Sequence, residues 1–174
     1  MMPLSTVLWG FVLIFGLMGA LRGWHKEVLV SFSIIVALSM RLIFSQYVPF
    51  IKDILNRPPM EQFYIYSALI VFMAVAGYAG PVVSARLAGK AAREGLQDIL
   101  LGFVMGAFNG YMIVGVIWSL LHAANYGIWD IQPPLEGTTS YLVATQYLPL
   151  AWVSDPLLLT IFVLAAVFLV IVLV

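Results

Sequence analysis

Cysteine is absent from all 174 residues, which excludes disulfide frameworks, thiolate metal sites and a cysteine nucleophile, and leaves the redox compartment undetermined. Charge is scarce as well. Eight basic and eight acidic residues make up 9% of the chain and cancel to a net charge of zero, where soluble domains carry about 25%. An ordinary soluble globule is excluded, and without a basic excess nothing points to DNA or RNA as a partner. No glycine-rich phosphate loop follows a strand pattern, so nucleotide use lacks support. The chain is instead 63% hydrophobic.

A bilayer core about 30 Å thick is crossed by about 20 apolar residues in helical form. Residues 4–21, 63–83, 99–121 and 157–174 contain no Asp, Glu, Lys or Arg, and 28–44 contains only Arg41. Membrane strands would be about 10 residues long with strict polar alternation, a pattern these runs lack. The expected fold is all-α: a polytopic transmembrane helical bundle of four to five membrane spans with one interfacial helix, and 1–174 forming a single integral membrane domain. The first run has neither a basic start nor a small-x-small cleavage pattern, so it is expected to be retained. Residues 22–27 are too short for anything but a hairpin between the first two runs. Pro49, Pro58-Pro59, Pro133-Pro134, Pro149 and Pro156 punctuate the remaining connections, and Pro81 closes the third run. Arg41 stands within a turn of the outer end of its span and is expected to snorkel.

The connections carry Arg22 and Lys26, then Lys52 and Arg57, then Arg86, Lys90 and Arg93, then no basic residue. This asymmetry places 22–27 and 84–98 in the cytoplasm and the N-terminus outside. Arg86, Lys90 and Arg93 recur at spacings of four and three, on one side of an interfacial basic helix facing anionic lipid, or simply anchoring topology. In the fourth connection Tyr126, Trp129, Tyr141, Tyr147 and Trp152 suit rings at headgroup depth, so 138–153 is expected to lie on the outer membrane surface.

Gly102, Gly106 and Gly110 form a small-xxx-small ridge, and Gly16, Gly19 and Gly23 offer a matching small face on the first span. Such ridges let helix backbones approach closely, within one chain or between copies. Asp98, on the same helical side as Gly102, reads either as an exposed early-turn acid favoured by the helix dipole or as the partner of a first-connection base, Arg22 or Lys26. Hydrolase chemistry needs a base beside a nucleophile, and in this topology His25 and His122 fall on opposite sides of the membrane and cannot form one site. His122, Asp130, Glu136 and Asp155 lack ligand-like spacing. No catalytic, cofactor-binding or metal-binding residue is assigned, no cofactor is called for, and the chain is read as non-enzymatic.

Two stretches resemble the CvpA family of colicin V production proteins. Arg22-Gly23-Trp24-His25-Lys26-Glu27 is similar to its Arg-Gly, two variable residues, a base and Glu after a first span. Gly95 through Asp98, Gly102, Gly106 and Gly110 is similar to its Gly, Asp, Leu-Gly and repeated Gly at fourfold spacing. Ile99 and Asn109 stand where that family often has basic residues, and the run at 157–174 exceeds its usual four spans. The resemblance implies a bacterial inner-membrane protein tied to production or export of a colicin V-type peptide toxin and to envelope stress tolerance. Its Asp and basic residues match Asp98, Arg22 and Lys26; with Glu27 these form an expected cytoplasmic-face charge network. The expected partners are the lipid bilayer, a membrane or secretion protein docked on that face, or a second copy of the chain. A non-enzymatic scaffold is the leading expectation. A small channel or transporter, and a membrane anchor or regulator of an extracytoplasmic peptidase, are the alternatives.

Overall fold

The computed structural model describes residues 2–47, 53, 56–79, 95–128, 131–153 and 156–173. Pro49, Lys52, Pro81, the basic stretch of Arg86, Lys90 and Arg93, Trp129, Asp130, Asp155 and the side chain of Arg41 lie outside the described residues. Four long helices build the bundle: α1 (Leu4–Arg22), α2 (Trp24–Tyr47), α3 (Pro59–Ala79) and α4 (Gly95–Ala123). Two short helices follow, α5 (Thr139–Leu142) and α6 (Pro149–Trp152), joined by a π-helical turn at Val143–Tyr147, and then α7 (Pro156–Leu173). No strand occurs among the described residues. By length and composition α1, α3 and α4 can each cross a membrane, and α7 carries a further apolar stretch at Leu159–Phe168. α2 has the length but begins with the charged run His25, Lys26 and Glu27. The chain is an integral membrane protein built as a helical bundle.

The helices follow from their sequences. Pro3, with φ at −67°, precedes the first turn of α1, where a missing N–H costs nothing. α1 stops at Gly23, whose φ of +83° belongs to the region glycine enters without strain and whose N–H returns to the Gly19 carbonyl at 2.9 Å. One residue therefore joins α1 to α2, where the sequence predicts a connection of six. α4 occupies the centre, packed on α1, α2 and α3. Leu8, Val30, Ile34, Ile70 and Val116 fill the interior, while Leu13, Leu17, Phe72, Val75 and Val104 face outward, as lipid contact requires. Two ends are defined by position: the Asp98 end and the Ser5 end.

At the Ser5 end α4 closes with Asn125 and Tyr126 in left-handed backbone, φ 52° and 57°. The Tyr126 hydroxyl lies 3.0 Å from both Trp118 Nε1, which donates to it, and His122 Nδ1. These contacts hold a bulky residue in a conformation it rarely adopts. Burial pushes the Tyr126 hydroxyl above the ordinary phenol range, against a smaller opposing pull from the Trp118 N–H.

The segment from α5 to α6 is held against the bundle at more than one level. Ser140 is tied to Ser5, with hydroxyls 2.9 Å apart, but the chain then descends alongside α4. Pro149 fills the space beside Gly115, where an added Cβ would lie 2.6 Å from the proline Cδ. The Tyr111 hydroxyl donates to the Tyr147 carbonyl and accepts from Trp152 Nε1 at 3.2 Å. Gly19 lies against both Gly102 and Gly106. At 1.5 Å per residue from the midpoint of that contact, Ser5 stands about 21 Å away, Gly115 about 16 Å and Tyr111 about 10 Å. The contact of Pro149 with Gly115 thus lies about 5 Å below the level of Ser5. The segment lies against α4 because Gly115 leaves room for a proline ring and the Tyr111 hydroxyl donates to the Tyr147 carbonyl.

Candidate functional site

Two polar constellations lie at the Asp98 end, and both depend on the close approach of α1 to α4. A Cβ on Gly19 would lie 2.8 Å from the Gly106 Cα and collide with the Gly102 carbonyl oxygen. A Cβ on Gly106 would in turn strike the Phe15 carbonyl, and one on Gly110 would lie 2.6 Å from the Phe15 Cβ. Gly16 receives the Phe103 ring edge at 2.9 Å from the same kind of position. The glycine ridge is therefore used inside the chain, α1 against α4, rather than offered to a second copy. Gly77 of α3 plays the same part against α2, beside Val30 and Ser33.

The first constellation is the elbow. Asp98 accepts a hydrogen bond from the Trp24 backbone N–H at 3.3 Å, so a side chain of α4 serves one of the unpaired N–H groups that open α2. Its carboxylate occupies the space a side chain at Gly23 would need, 2.6 Å from the ideal Cβ position. His25 stacks on Trp24 with ring centroids 3.9 Å apart and brings Nδ1 to 3.6 Å from the carboxylate. Asp98 thus stands beside His25 and the Trp24 backbone N–H of the first connection, not beside Arg22 or Lys26.

The second constellation surrounds Glu27, which is 0% exposed although only the fourth residue of α2. Its Oε2 accepts from Asn109 Nδ2 at 2.9 Å and from the Tyr78 hydroxyl at 3.3 Å. Oε1 lies 3.5 Å from Arg22 Nη1, an ion pair without a hydrogen bond. Asn109, also 0% exposed, donates to the Glu27 carbonyl at 2.9 Å and accepts from Ser31 Oγ at 2.6 Å. Arg22 completes the ring, its guanidinium 4.3 Å above the centre of the Tyr78 ring and donating to the Tyr78 carbonyl at 3.3 Å. The five side chains come from α1, α2, α3 and α4. An ionisable group within a membrane bundle is tolerated when paired and turned inward, as here.

The expected network of Arg22, Lys26, Glu27 and Asp98 therefore divides. Arg22 and Glu27 meet; Asp98 belongs to the elbow; Lys26 is half-buried and its side chain makes no ion pair or hydrogen bond among the described residues. Sequence reasoning missed Ser31, Tyr78, His25 and Asn109. One signal was available: Glu27 and Ser31 are four residues apart on one helical face, and Asn109 interrupts an otherwise apolar glycine ridge. His25 and His122 stand at opposite ends of the bundle. Among the described residues no three His, Asp or Glu side chains gather as metal ligands would.

Comparison with known proteins gives one family. Residues 4–149 match the family model described as Colicin V production protein. No curated protein and no solved structure matches the sequence.

Proposed function

Because the chain belongs to the Colicin V production protein family, we propose that it acts as a non-enzymatic scaffold of the bacterial inner membrane in production or export of a colicin V-type peptide toxin and in envelope stress tolerance. The observation that supports this reading is the joint around Glu27. Its polar groups bond to one another across four helices, and a joint so built resists movement instead of exposing a reactive group. The Asp98 end is the cytoplasmic one in this reading, since basic residues concentrate there. Recruitment of a membrane or secretion protein then falls to Lys26 and the basic residues between α3 and α4, because Glu27 and Asp98 are engaged internally.

The test is crosslinking in native membranes with affinity purification and mass spectrometry, comparing wild type with Lys26→Ala and Asp98→Ala. A stoichiometric partner lost from Lys26→Ala supports the scaffold. Lys26→Ala leaves the elbow intact, so its effect is separate from a folding defect in Asp98→Ala. Recovery of self-crosslinked copies alone would overturn recruitment.

A small channel or transporter is the second reading, which the segment from α5 to α6 packed on α4 accommodates, since irregular backbone within a membrane bundle is tolerated where protein or a water-filled cavity surrounds it. Reconstituted protein that passes neither ions nor small acids above empty liposomes would remove it.

A further inference from the structure

Between the start of α1 and the chain that leads into α5 lies a partly open cavity of about 530 Å³, within the size range of small-ligand sites. Met2 and Leu4 from the one segment, Ile131 and Leu135 from the other, give it a mostly apolar lining. Its depth follows from α1, whose 19 residues span about 28 Å, close to the thickness of a hydrocarbon core. Leu4 opens that helix, so the cavity stands where hydrocarbon gives way to headgroups.

The polar groups around it differ in what they leave free. Thr138 and Ser140 are already engaged, the first donating to the Leu135 carbonyl at 2.7 Å and the second 2.9 Å from the Ser5 hydroxyl. The carbonyls of Gln132, Pro133 and Pro134 accept no hydrogen bond among the described residues, and the two prolines bring no N–H of their own. Glu136, between the lining residues Leu135 and Thr138, is exposed and makes no ion pair or hydrogen bond among the described residues. The connection from α4 to α7 contains no Lys or Arg, and Arg57, at the same end of the bundle, is held by Glu61 at 3.0 Å. The chain leading into α5 therefore collects free acceptors and a negative charge. α1 contributes the opposite sign, because its first turn is the positive end of the helix dipole and the Leu4 N–H has no acceptor there.

We propose that this cavity binds the zwitterionic headgroup of an aminophospholipid, its primary ammonium against Glu136 and the carbonyls of Gln132, Pro133 and Pro134, its phosphate toward the first turn of α1. An ammonium with three N–H donors answers those carbonyls, whereas a quaternary choline head has no donor to offer. The occupant is a lipid, not a soluble amine, because Met2 and Leu135, 68% and 77% exposed, carry the apolar lining out to the rim at the level where acyl chains begin. The site is independent of the scaffold reading, which needs only the opposite end of the bundle.

The test is native mass spectrometry of the full chain released from detergent with equal amounts of phosphatidylethanolamine, phosphatidylcholine and phosphatidylglycerol of one acyl composition. Wild type is expected to retain phosphatidylethanolamine at least about fivefold over either other lipid, the preference a charge-assisted hydrogen bond confers. Glu136→Gln, at an exposed position without partners, should lower that lipid to the level of phosphatidylcholine, and Glu136→Lys should shift the preference to phosphatidylglycerol. Phosphatidylethanolamine carrying a photoactivatable group in its head should crosslink within residues 131–138. Equal retention of the three lipids by wild type would overturn the site, as would a preference unchanged in both Glu136 variants or adducts confined to other segments. Displacement of the lipid by soluble phosphoethanolamine would overturn the part assigned to the apolar rim.

Discussion

At the scale of single residues, Glu27 and Asn109 explain each other. Both are fully buried, and each satisfies what the other would otherwise leave unmade. Replacing one partner strands a buried polar group, at a cost of about 3–5 kcal/mol where a charge is left and about 1–3 kcal/mol for a neutral group. Glu27→Leu and Asn109→Leu are each expected to lower unfolding stability in detergent, and the double variant to cost less than their sum; strict additivity in that cycle would refute the pairing. Gly23 makes a second case. Its φ of +83° and the carboxylate 2.6 Å from its ideal Cβ predict that Gly23→Ala destabilises by about 1–2 kcal/mol or more. Gly95→Ala, with nothing within 4 Å, should leave the melting temperature unchanged or raise it. Glu27 was hard to read in the sequence because it was assigned to a connection. α2 starts four residues earlier than its apolar run because Asp98, distant in sequence, accepts from its first N–H. A cap supplied by another helix leaves no local signature.

At the scale of elements, the packing of α1 on α4 was legible because a small-xxx-small stripe needs only regular spacing to declare itself. Gly19→Leu is expected to part the two helices, since its side chain would enter the backbone of Gly102 and Gly106. Gly10→Leu on the same helix, where a Cβ meets nothing, should be tolerated. Protease resistance of the two variants in membranes distinguishes them, and equal resistance would remove the packing claim. The segment from α5 to α6 was not legible. Its tyrosines and tryptophan suit a free surface helix as well as a segment packed on the bundle, and the deciding residues, Gly115 and Tyr111, are on another helix. Tyr111→Phe is expected to loosen this segment without unfolding the bundle, seen as faster hydrogen exchange confined to residues 139–152.

At the scale of the whole molecule, the distribution of basic residues predicts that the two ends lie on opposite sides of the membrane. Thiols introduced singly at Lys26 and Glu136 are expected to be labelled from opposite sides, with Lys26 reached only from the cytoplasm. Labelling of both from one side would reverse or collapse the topology. The bundle as a class, all-helical and membrane-embedded, follows from composition alone. Its internal order does not, because apolar runs of similar length carry little information about which run is central. α4 is central through its glycines and Asn109, residues that count against hydropathy rather than for it.

The pairing of α1 with α4 also sets an order of events during synthesis. α1 leaves the ribosome first, yet the glycines that receive it are made about 80 residues later, an interval of about 4–16 s at the usual elongation rates. During that interval the narrow face of α1 has no α4 to receive it, and Glu27 lacks the amide of Asn109 that it accepts from in the complete bundle. A nascent chain halted at Ala79 should therefore be degraded by membrane proteases in a pulse-chase, and one extended past Ala123 should survive. Assembly is expected to be a single closing step, in which the arrival of α4 locks the three helices made before it.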